Sequence, residues 1–339
     1  MKSIRFSTVG IFVVFIFLSM SPFAHSQQGF LEPSNSINLS EPTGSKERYL
    51  ALMVGLRKYF NSFTSWQLPS RDGALDPISR LEYPWDQSFI AIRGSTAYAG
   101  LEVNMEWSGT LSVLSNPKAQ DSDWEDPNNP QQKTTFSDAD ATPRCWIVDL
   151  SGNMQIPGIT FLRGVAGYRT SQFKFTNTDG YQHSIYDSDS NTYVNSSIPL
   201  PGASIEFSQY YKQLYVGGIF DTSINFGEIS SGLIVPPLLL RIQADGSYVS
   251  GNSHDQHLLR YAFGIISSRG FGWHINLTTG FNTGRFRFDV EGDVRGIQTT
   301  GDIQNIQEIN HGLIQDVTIE GAKAWSEQKY LGINGTILF

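Results

Sequence analysis

Cysteine is almost missing from this chain of 339 residues, in which Cys145 is the single example. One cysteine cannot form an intramolecular disulfide or a metal site built from several thiolates. A nucleophilic thiol needs electropositive surroundings, and the sequence places only Arg144 beside it. We therefore expect Cys145 to be a buried or lipid-facing strand residue without a catalytic role.

Positive charge is also scarce, with 24 Lys and Arg against 32 Asp and Glu and a formal net charge of -8. Proteins that bind nucleic acid neutralise phosphates with a basic surface, so this composition argues against nucleic acid as a partner. An acidic surface attracts cations. Cationic peptides and proteins are therefore the more natural partners.

Long apolar runs are missing after the first twenty residues. The run from Val9 to Met20 follows Lys2 and Arg5 and precedes Ala24-His25-Ser26, a pattern typical of a secretory signal peptide cleaved before Gln27. A helix that spans a bilayer needs about 20 apolar residues, and no later segment is long enough. If the chain crosses a membrane, we expect it to cross as β-strands.

Two segments alternate apolar and polar residues over an unusual length. Leu101 to Val113 would span roughly 40 Å as a strand, whereas common strands have about 5 or 6 residues. Phe286 to Gly296 repeats the pattern, with its charged residues on one side. A secreted β-sandwich alternates in the same way. The signal peptide favours a transmembrane barrel, and the alternating last segment, which ends on Phe339, resembles the closing strand of bacterial outer-membrane proteins.

We therefore predict an all-β fold, a transmembrane antiparallel up-and-down β-barrel of about ten strands in the outer membrane. The expected organisation is a signal peptide (1–26), a flexible lead-in (27–45) and the barrel (46–339). Polar segments at 116–143 and 177–201 are expected to be extracellular loops, and a turn is expected near Arg269-Gly270. Strand-like stretches occur at 48–60, 74–83, 87–97, 99–115, 144–152, 158–176, 203–221, 237–250, 257–283, 285–300 and 327–339.

Two short motifs could carry chemistry. One is Asp121-Ser122-Asp123-Trp124-Glu125-Asp126, and the other is Asp255-Gln256-His257. Close carboxylates can hold a water and share a proton, and a His oriented by an Asp can act as a general base near neutral pH. Taken singly, each motif also fits an ordinary solvated loop. A calcium site at Asp121, Asp123 and Asp126 is a further alternative, although the spacing and the Gly of a calcium loop are missing.

In combination, the two motifs resemble those of the omptin family of outer-membrane proteases. Omptins carry an Asp-x-Asp-Trp-x-Asp segment followed by Asn and Pro, and here Asp121 to Pro130 has that form. They also carry an Asp-Glu-His motif at the rim of a later strand, which Asp255-Gln256-His257 resembles. Further similarities are Lys46-Glu47-Arg48-Tyr49, Gly167-Tyr168 and the terminal Phe339.

The resemblance implies an endopeptidase whose barrel projects beyond the membrane and holds a groove between the two motifs. By analogy, Asp121 and Asp123 would be the aspartate pair, His257 the general base and Asp255 its orienting partner, which together would activate a water. This chemistry needs no cofactor and no metal. Peptides or proteins would be the substrates and outer-membrane lipids the surroundings, with the active face outside the cell.

The resemblance also implies a preference for basic residues at the cleavage site. Omptins place acidic side chains in the substrate pocket, and Glu47 matches one of them. The second acidic position corresponds here to Ser253, so a doubly charged pocket would be weakened. Thr170 and Gln172 replace the acidic and basic residues that omptins use to contact lipopolysaccharide, so a dependence on that lipid does not carry over.

A barrel that only binds or transports is the alternative from another class. It would be either a narrow pore or a surface adhesin that retains the rim of a protease. Ten strands leave an interior that side chains largely fill, and the charges at Arg287, Asp289, Glu291, Asp293 and Arg295 would fill it with ion pairs. A wide diffusion pore is therefore not expected.

Overall fold

The computed structural model describes residues 49–339 except 71, 73, 112–116, 188–189, 191, 226–227, 230–232, 235, 260–261 and 310–312. The signal peptide and the lead-in lie outside these residues and stay predictions. Every regular element in the described part of the chain is a β-strand. None of its segments forms a helix long and apolar enough to cross a membrane.

Fifteen strands follow one another along the described chain. They are β1 (Tyr49–Tyr59), β2 (Phe63–Leu68), β3 (Ser79–Pro84), β4 (Ser88–Tyr98), β5 (Leu101–Thr110), β6 (Lys118–Asp123), β7 (Thr135–Gln155), β8 (Leu162–Asp187), β9 (Thr192–Ile224), β10 (Glu228–Ile229), β11 (Leu233–Ile234), β12 (Leu238–His257), β13 (Ala262–Thr283), β14 (Phe286–Ile309) and β15 (Leu313–Leu338). The small hairpin of β10 and β11 forms a separate sheet.

The other thirteen strands form one closed antiparallel sheet with ten strand positions around the ring. Pairing of β1 with β15 closes the ring. Three positions are interrupted part of the way up, because β2 continues above β1, β3 lies above β4 and β6 lies above β5. Asn61, with a φ of 47°, lies in the first of these breaks. The predicted barrel of about ten strands is confirmed.

An apolar outer surface surrounds one end of the barrel. In β1 the exposed side chains are Leu50, Leu52, Val54 and Leu56, whereas Ala51 and Met53 point inward and are buried. In β14, Phe288 and Val290 are about half exposed, whereas Asp289 and Glu291 are buried. Apolar side chains outside and charges inside are the arrangement of a membrane barrel and the reverse of a soluble one.

Above this apolar surface the strands continue into a polar section, which we call the upper section. Here two sequence predictions are wrong. Segments 116–143 and 177–201 are not simple loops, because they contain β6 and the upper ends of β7, β8 and β9. Strands that project into water need no apolar outer face, so their sequence shows no alternation from which to recognise them.

The turn expected near Arg269-Gly270 is also absent from the structure. Strand β13 passes through this point without a break and pairs with Ser250 and Val249 of β12. The chain turns earlier than expected, after the end of β12 at His257 and before the start of β13 at Ala262. Gly270 faces the backbone of Gln298 and Thr299 so closely that a Cβ would collide, which explains the glycine without a turn.

Ion pairs fill the lumen within the membrane. Arg57 donates two hydrogen bonds to Glu106, at 2.6 and 2.9 Å, and a third at 3.3 Å to Glu291. His274 lies between two carboxylates, with Nδ1 2.6 Å from Asp245 and Nε2 2.7 Å from Asp293. These buried charges compensate one another, as charges in a low-dielectric interior must.

Aromatic side chains fill the lumen above the ion pairs. Tyr59 contacts Trp85, Phe89 and Tyr330, with ring centroids 4.5 to 4.9 Å apart. A second stack, of Tyr83, Phe175 and Phe207, lies in the upper section. Cys145 is buried in β7, as expected. The candidate site therefore lies on a packed floor and not over an open channel.

Candidate active site

The aspartate pair lies on strand β6 in the wall of the upper section. Asp121 is paired with Leu81 of β3 and Ser137 of β7, and Asp123 is paired in the same way with Ser79 and Thr135. Residues two apart in a strand point to the same side, so both carboxylates share the side of the buried Ala119. The sequence placed this motif in a loop, and the structure shows that Asp121 and Asp123 belong to a strand.

The rest of that motif forms a tight turn after β6. Oδ1 of Asp126 accepts a hydrogen bond from the backbone N–H of Asn128 at 2.9 Å, which is an Asx turn. Asp126 is buried in this role. Among the described residues no three His, Cys, Asp or Glu side chains are grouped so that they could hold a metal ion. The hydrogen bond within this turn accounts for the position of Asp126.

Cationic and aromatic side chains stabilise the outer side of the same wall. The Arg80 guanidinium lies 5.7 Å from the ring centre of Trp124 and 5.5 Å from that of Trp325. Lys133 lies 5.4 Å from the ring centre of Trp124 and donates a hydrogen bond to Ser122 at 3.0 Å. These cation–π contacts hold β3, β6 and β15 together behind the aspartates. Trp124 therefore belongs to the wall of the site.

The His–Asp dyad lies at the upper end of β12. Nε2 of His257 is 2.8 Å from Oδ2 of Asp255, and the two side chains are 15% and 5% exposed. Both project to the interior side of the strand, on the face of the buried Ser253. The contact fixes the orientation of the imidazole ring, as a carboxylate behind a general base does.

Tyr83 lies between the two walls that carry the candidate residues. It follows the Leu81–Asp121 pair by two positions on β3, so it points inward just below Asp121. Its ring is stacked on Phe207 at 4.3 Å and 6°, and Phe207 is the β9 partner of Asp255. Burial raises the pKa of Tyr83 well above its usual value, and the carboxylates of Asp255 and Asp121 raise it further. Both halves of the candidate site therefore act on one phenol.

Of the two residues predicted to bind substrate, the structure describes Ser253 but not Glu47. Ser253 is buried on the interior face of β12, paired with Gln209 of β9 and Ile266 of β13. No carboxylate is supplied by these partners, so this part of the wall is neutral. Glu47 lies outside the described residues, and its role stays a prediction.

Tyr83 and Asn177 are buried beside the candidate site, and sequence reasoning did not identify them. Both are buried at inward positions, Tyr83 on β3 and Asn177 on β8. An aromatic or amide residue at such a position belongs to no catalytic motif. The only available signal was the alternation of Leu81 and Tyr83, which predicts an inward face but not what lies opposite.

Fold and site together define an outer-membrane β-barrel that carries an aspartate pair and a His–Asp dyad on facing walls at its polar end. The model of the Omptin family matches residues 72–261, which is more than half of the chain. The chain belongs to the Omptin family, and its class is therefore that of outer-membrane proteases. The barrel lies in the outer membrane with this end outside the cell, as predicted.

A solved structure agrees with the barrel. The crystal structure of outer membrane protease OmpT from Escherichia coli matches with a TM-score of 0.66 at 16% identity, over 88% of this chain and 98% of that one. The translocator domain of the autotransporter NalP from Neisseria meningitidis matches with a TM-score of 0.34 at 6% identity, over 87% and 89%. No curated protein sequence matches the chain.

Proposed function

We propose that this protein is an endopeptidase that cleaves extracellular peptides or proteins with a water activated by Asp121, Asp123 and the His257–Asp255 dyad. The observation that carries the proposal is the 2.8 Å contact of His257 with a buried Asp255, on the wall that faces the aspartate pair. A dyad and an acidic pair across a groove are the parts needed for hydrolysis without a covalent nucleophile.

In the proposed reaction His257 is the general base. Nε2 of His257 contacts Asp255, and the imidazole would take a proton from water as the water oxygen attacks the peptide carbonyl. Asp255 would stabilise the imidazolium that forms, and the same proton would then pass to the leaving amine as the C–N bond breaks. Asp121 and Asp123 would orient the water from the opposite wall.

We propose cleavage near basic residues, carried by a single acidic contact. Glu47 would pair with the Arg or Lys side chain of the substrate, and the acidic protein would attract cationic chains. Ser253 is neutral and its strand partners, Gln209 and Ile266, are neutral as well. We therefore expect a preference for basic residues that is weaker than a pocket with two carboxylates would produce.

The test is cleavage of a mixed library of cationic and neutral peptides by refolded protein, with mass spectrometry of the products. We expect Asp123→Ala and His257→Ala to abolish cleavage while leaving a folded, heat-modifiable barrel. His254→Ala is the matched control, because His254 is exposed on the opposite face of the same strand, next to Phe263. Full activity in either site variant would reject the mechanism.

A negative result with the wild type is also informative. Folded wild type that cleaves nothing, with and without lipopolysaccharide, would favour the binding or adhesin alternative. The narrow-pore alternative has less support, because ion pairs and stacked aromatic rings occupy successive levels of the lumen. Conductance measured in planar bilayers would show regular steps only for an open pore.

A further inference from the structure

The floor of the candidate groove contains buried polar atoms that make no regular hydrogen bond. They are Oη of Tyr83, Oδ1 of Asn177 and Oδ1 of Asp255. The Asn177 side chain lies close enough to the Tyr83 hydroxyl to lower the pKa of the phenol, but the two groups do not have the geometry of a regular hydrogen bond. Buried polar groups without partners cost free energy, so several of them at one place indicate a functional requirement.

The phenol of Tyr83 lies in a rigid position. Its ring is stacked on Phe207, at 4.3 Å, and also contacts the ring of Phe175, at 4.8 Å, and the residue is fully buried. Phe207 is the direct strand partner of Asp255, and Leu81, two residues before Tyr83, is the partner of Asp121. Aromatic stacking of this kind holds the ring without fixing the hydroxyl hydrogen.

Among the residues that the structure describes, two ionisable groups raise the pKa of this phenol by their charge. Asp121 does so from β6 and Asp255 from β12. Strands β8 and β9 contribute the uncharged Phe175, Asn177 and Phe207. The hydroxyl is a neutral donor between two carboxylates, which can lower the energy of their ionised forms without adding a charge.

We propose that Tyr83 is a positioning residue that couples the two halves of the candidate site through its hydroxyl, which donates to one bridging water whose two hydrogens reach Asp255 and Asp121. The hydroxyl dipole offsets part of the negative charge of Asp255 and Asp121 and so limits the negative potential at His257. This inference rests on the proposed function, but the test below separates the two.

The key variant is Tyr83→Phe, which removes the hydroxyl and keeps the stacked ring. Without the donor, the negative potential around His257 increases, so the imidazolium is favoured. We expect the acidic limb of kcat/KM to move up by roughly half to one pH unit and kcat to fall about tenfold, with little change in KM. A purely structural role would not move the pH profile.

Tyr211→Phe is the matched control. Tyr211 is also fully buried, and its hydroxyl likewise lacks a regular hydrogen bond. It is paired with Gly251, four residues below Asp255 on β12, and Thr64 and Thr299 lie beside its hydroxyl. We expect its pH profile and kcat to match the wild type. An equal shift in Tyr211→Phe, or an unchanged profile in Tyr83→Phe, would overturn the proposal.

A readout that does not need activity completes the experiment. The His257 imidazole is titrated by NMR in refolded, histidine-labelled protein, with His257→Ala to assign its signal. We expect its midpoint to rise in Tyr83→Phe and to stay constant in Tyr211→Phe. If the wild type does not cleave peptides but the midpoint rises, the proposed function fails and the coupling by Tyr83 stands. If the wild type cleaves and neither readout changes, the function stands and the coupling fails.

Discussion

Removal of Arg57 provides the sharpest test of how the lumen is stabilised. Its guanidinium is 1% exposed and contacts Glu106, which is 9% exposed, at 2.6 Å, and Glu291 at 3.3 Å. Breaking a buried ion pair by deleting one partner costs about 3–5 kcal/mol, because the other charge stays buried and uncompensated. We therefore expect Arg57→Met, which keeps most of the side-chain volume, to lower the free energy of unfolding by about 3–5 kcal/mol.

The matched control is an ion pair in water. Lys118 and Asp140 are 2.9 Å apart but 52% and 40% exposed, and such pairs contribute about 0–1 kcal/mol. Lys118→Met should therefore change stability little. The assay is equilibrium unfolding of the barrel in lipid vesicles with urea, followed by tryptophan fluorescence.

A second substitution separates charge from packing. If the cost of Arg57→Met comes from the carboxylates left behind, adding Glu106→Leu should add less than its own single effect, since residues in contact are not additive. A cost below about 1 kcal/mol for Arg57→Met would refute the reasoning, as would strict additivity in the double variant.

Two other predictions concern the upper section. Ser253→Asp places a second carboxylate on the same strand face as Asp255. We expect this variant to increase kcat/KM about tenfold for peptides with Arg at the cleavage site, relative to neutral peptides. Equal rates for both kinds of peptide would argue against a substrate pocket at this position. Because the pKa of Tyr83 is raised in the folded protein, its phenol stays protonated at a pH where free tyrosine ionises. The neutral phenol therefore contributes fully to folding stability below about pH 10, and this contribution is lost as the pH rises towards the pKa of the folded state. Tyrosinate absorbance of folded wild type and Tyr83→Phe should therefore coincide up to about pH 10, and an excess in the wild type near that pH would contradict the burial of Tyr83 between carboxylates.

The membrane part of the fold could be predicted because lipid imposes a strict pattern on the sequence. Leu101 to Val113 and Phe286 to Gly296 show the two-residue alternation that a barrel wall requires. Gly270 misled the turn prediction, because glycine marks a close backbone approach as readily as a bend. The strands of the upper section could not be predicted in this way, because β6 and the upper halves of β8 and β9 have water on their outer face and need no alternation.

The candidate site was predictable as two motifs but not as one place. Asp121, Asp123, Asp255 and His257 could be named from residue type and order, because each pair lies two residues apart within one strand. Their relation across the barrel depends on the register of β3, β6, β9 and β12, and no local pattern contains that information. Tyr83 shows this most clearly, since nothing near it in sequence relates it to Asp255.

What the sequence by itself determined is therefore the barrel, its insertion by strands, its acidic character and the chemical groups proposed for the candidate site, because these follow from periodicity and residue type within short segments. The tertiary structure alone decided which charges meet in the lumen, that Asp121 and Asp123 stand on a strand, and that Tyr83 lies between the aspartate pair and the dyad. These depend on contacts between residues far apart in the chain. Such contacts are set by strand pairing and closure of the ring, which bring opposite walls together only when the whole barrel has formed.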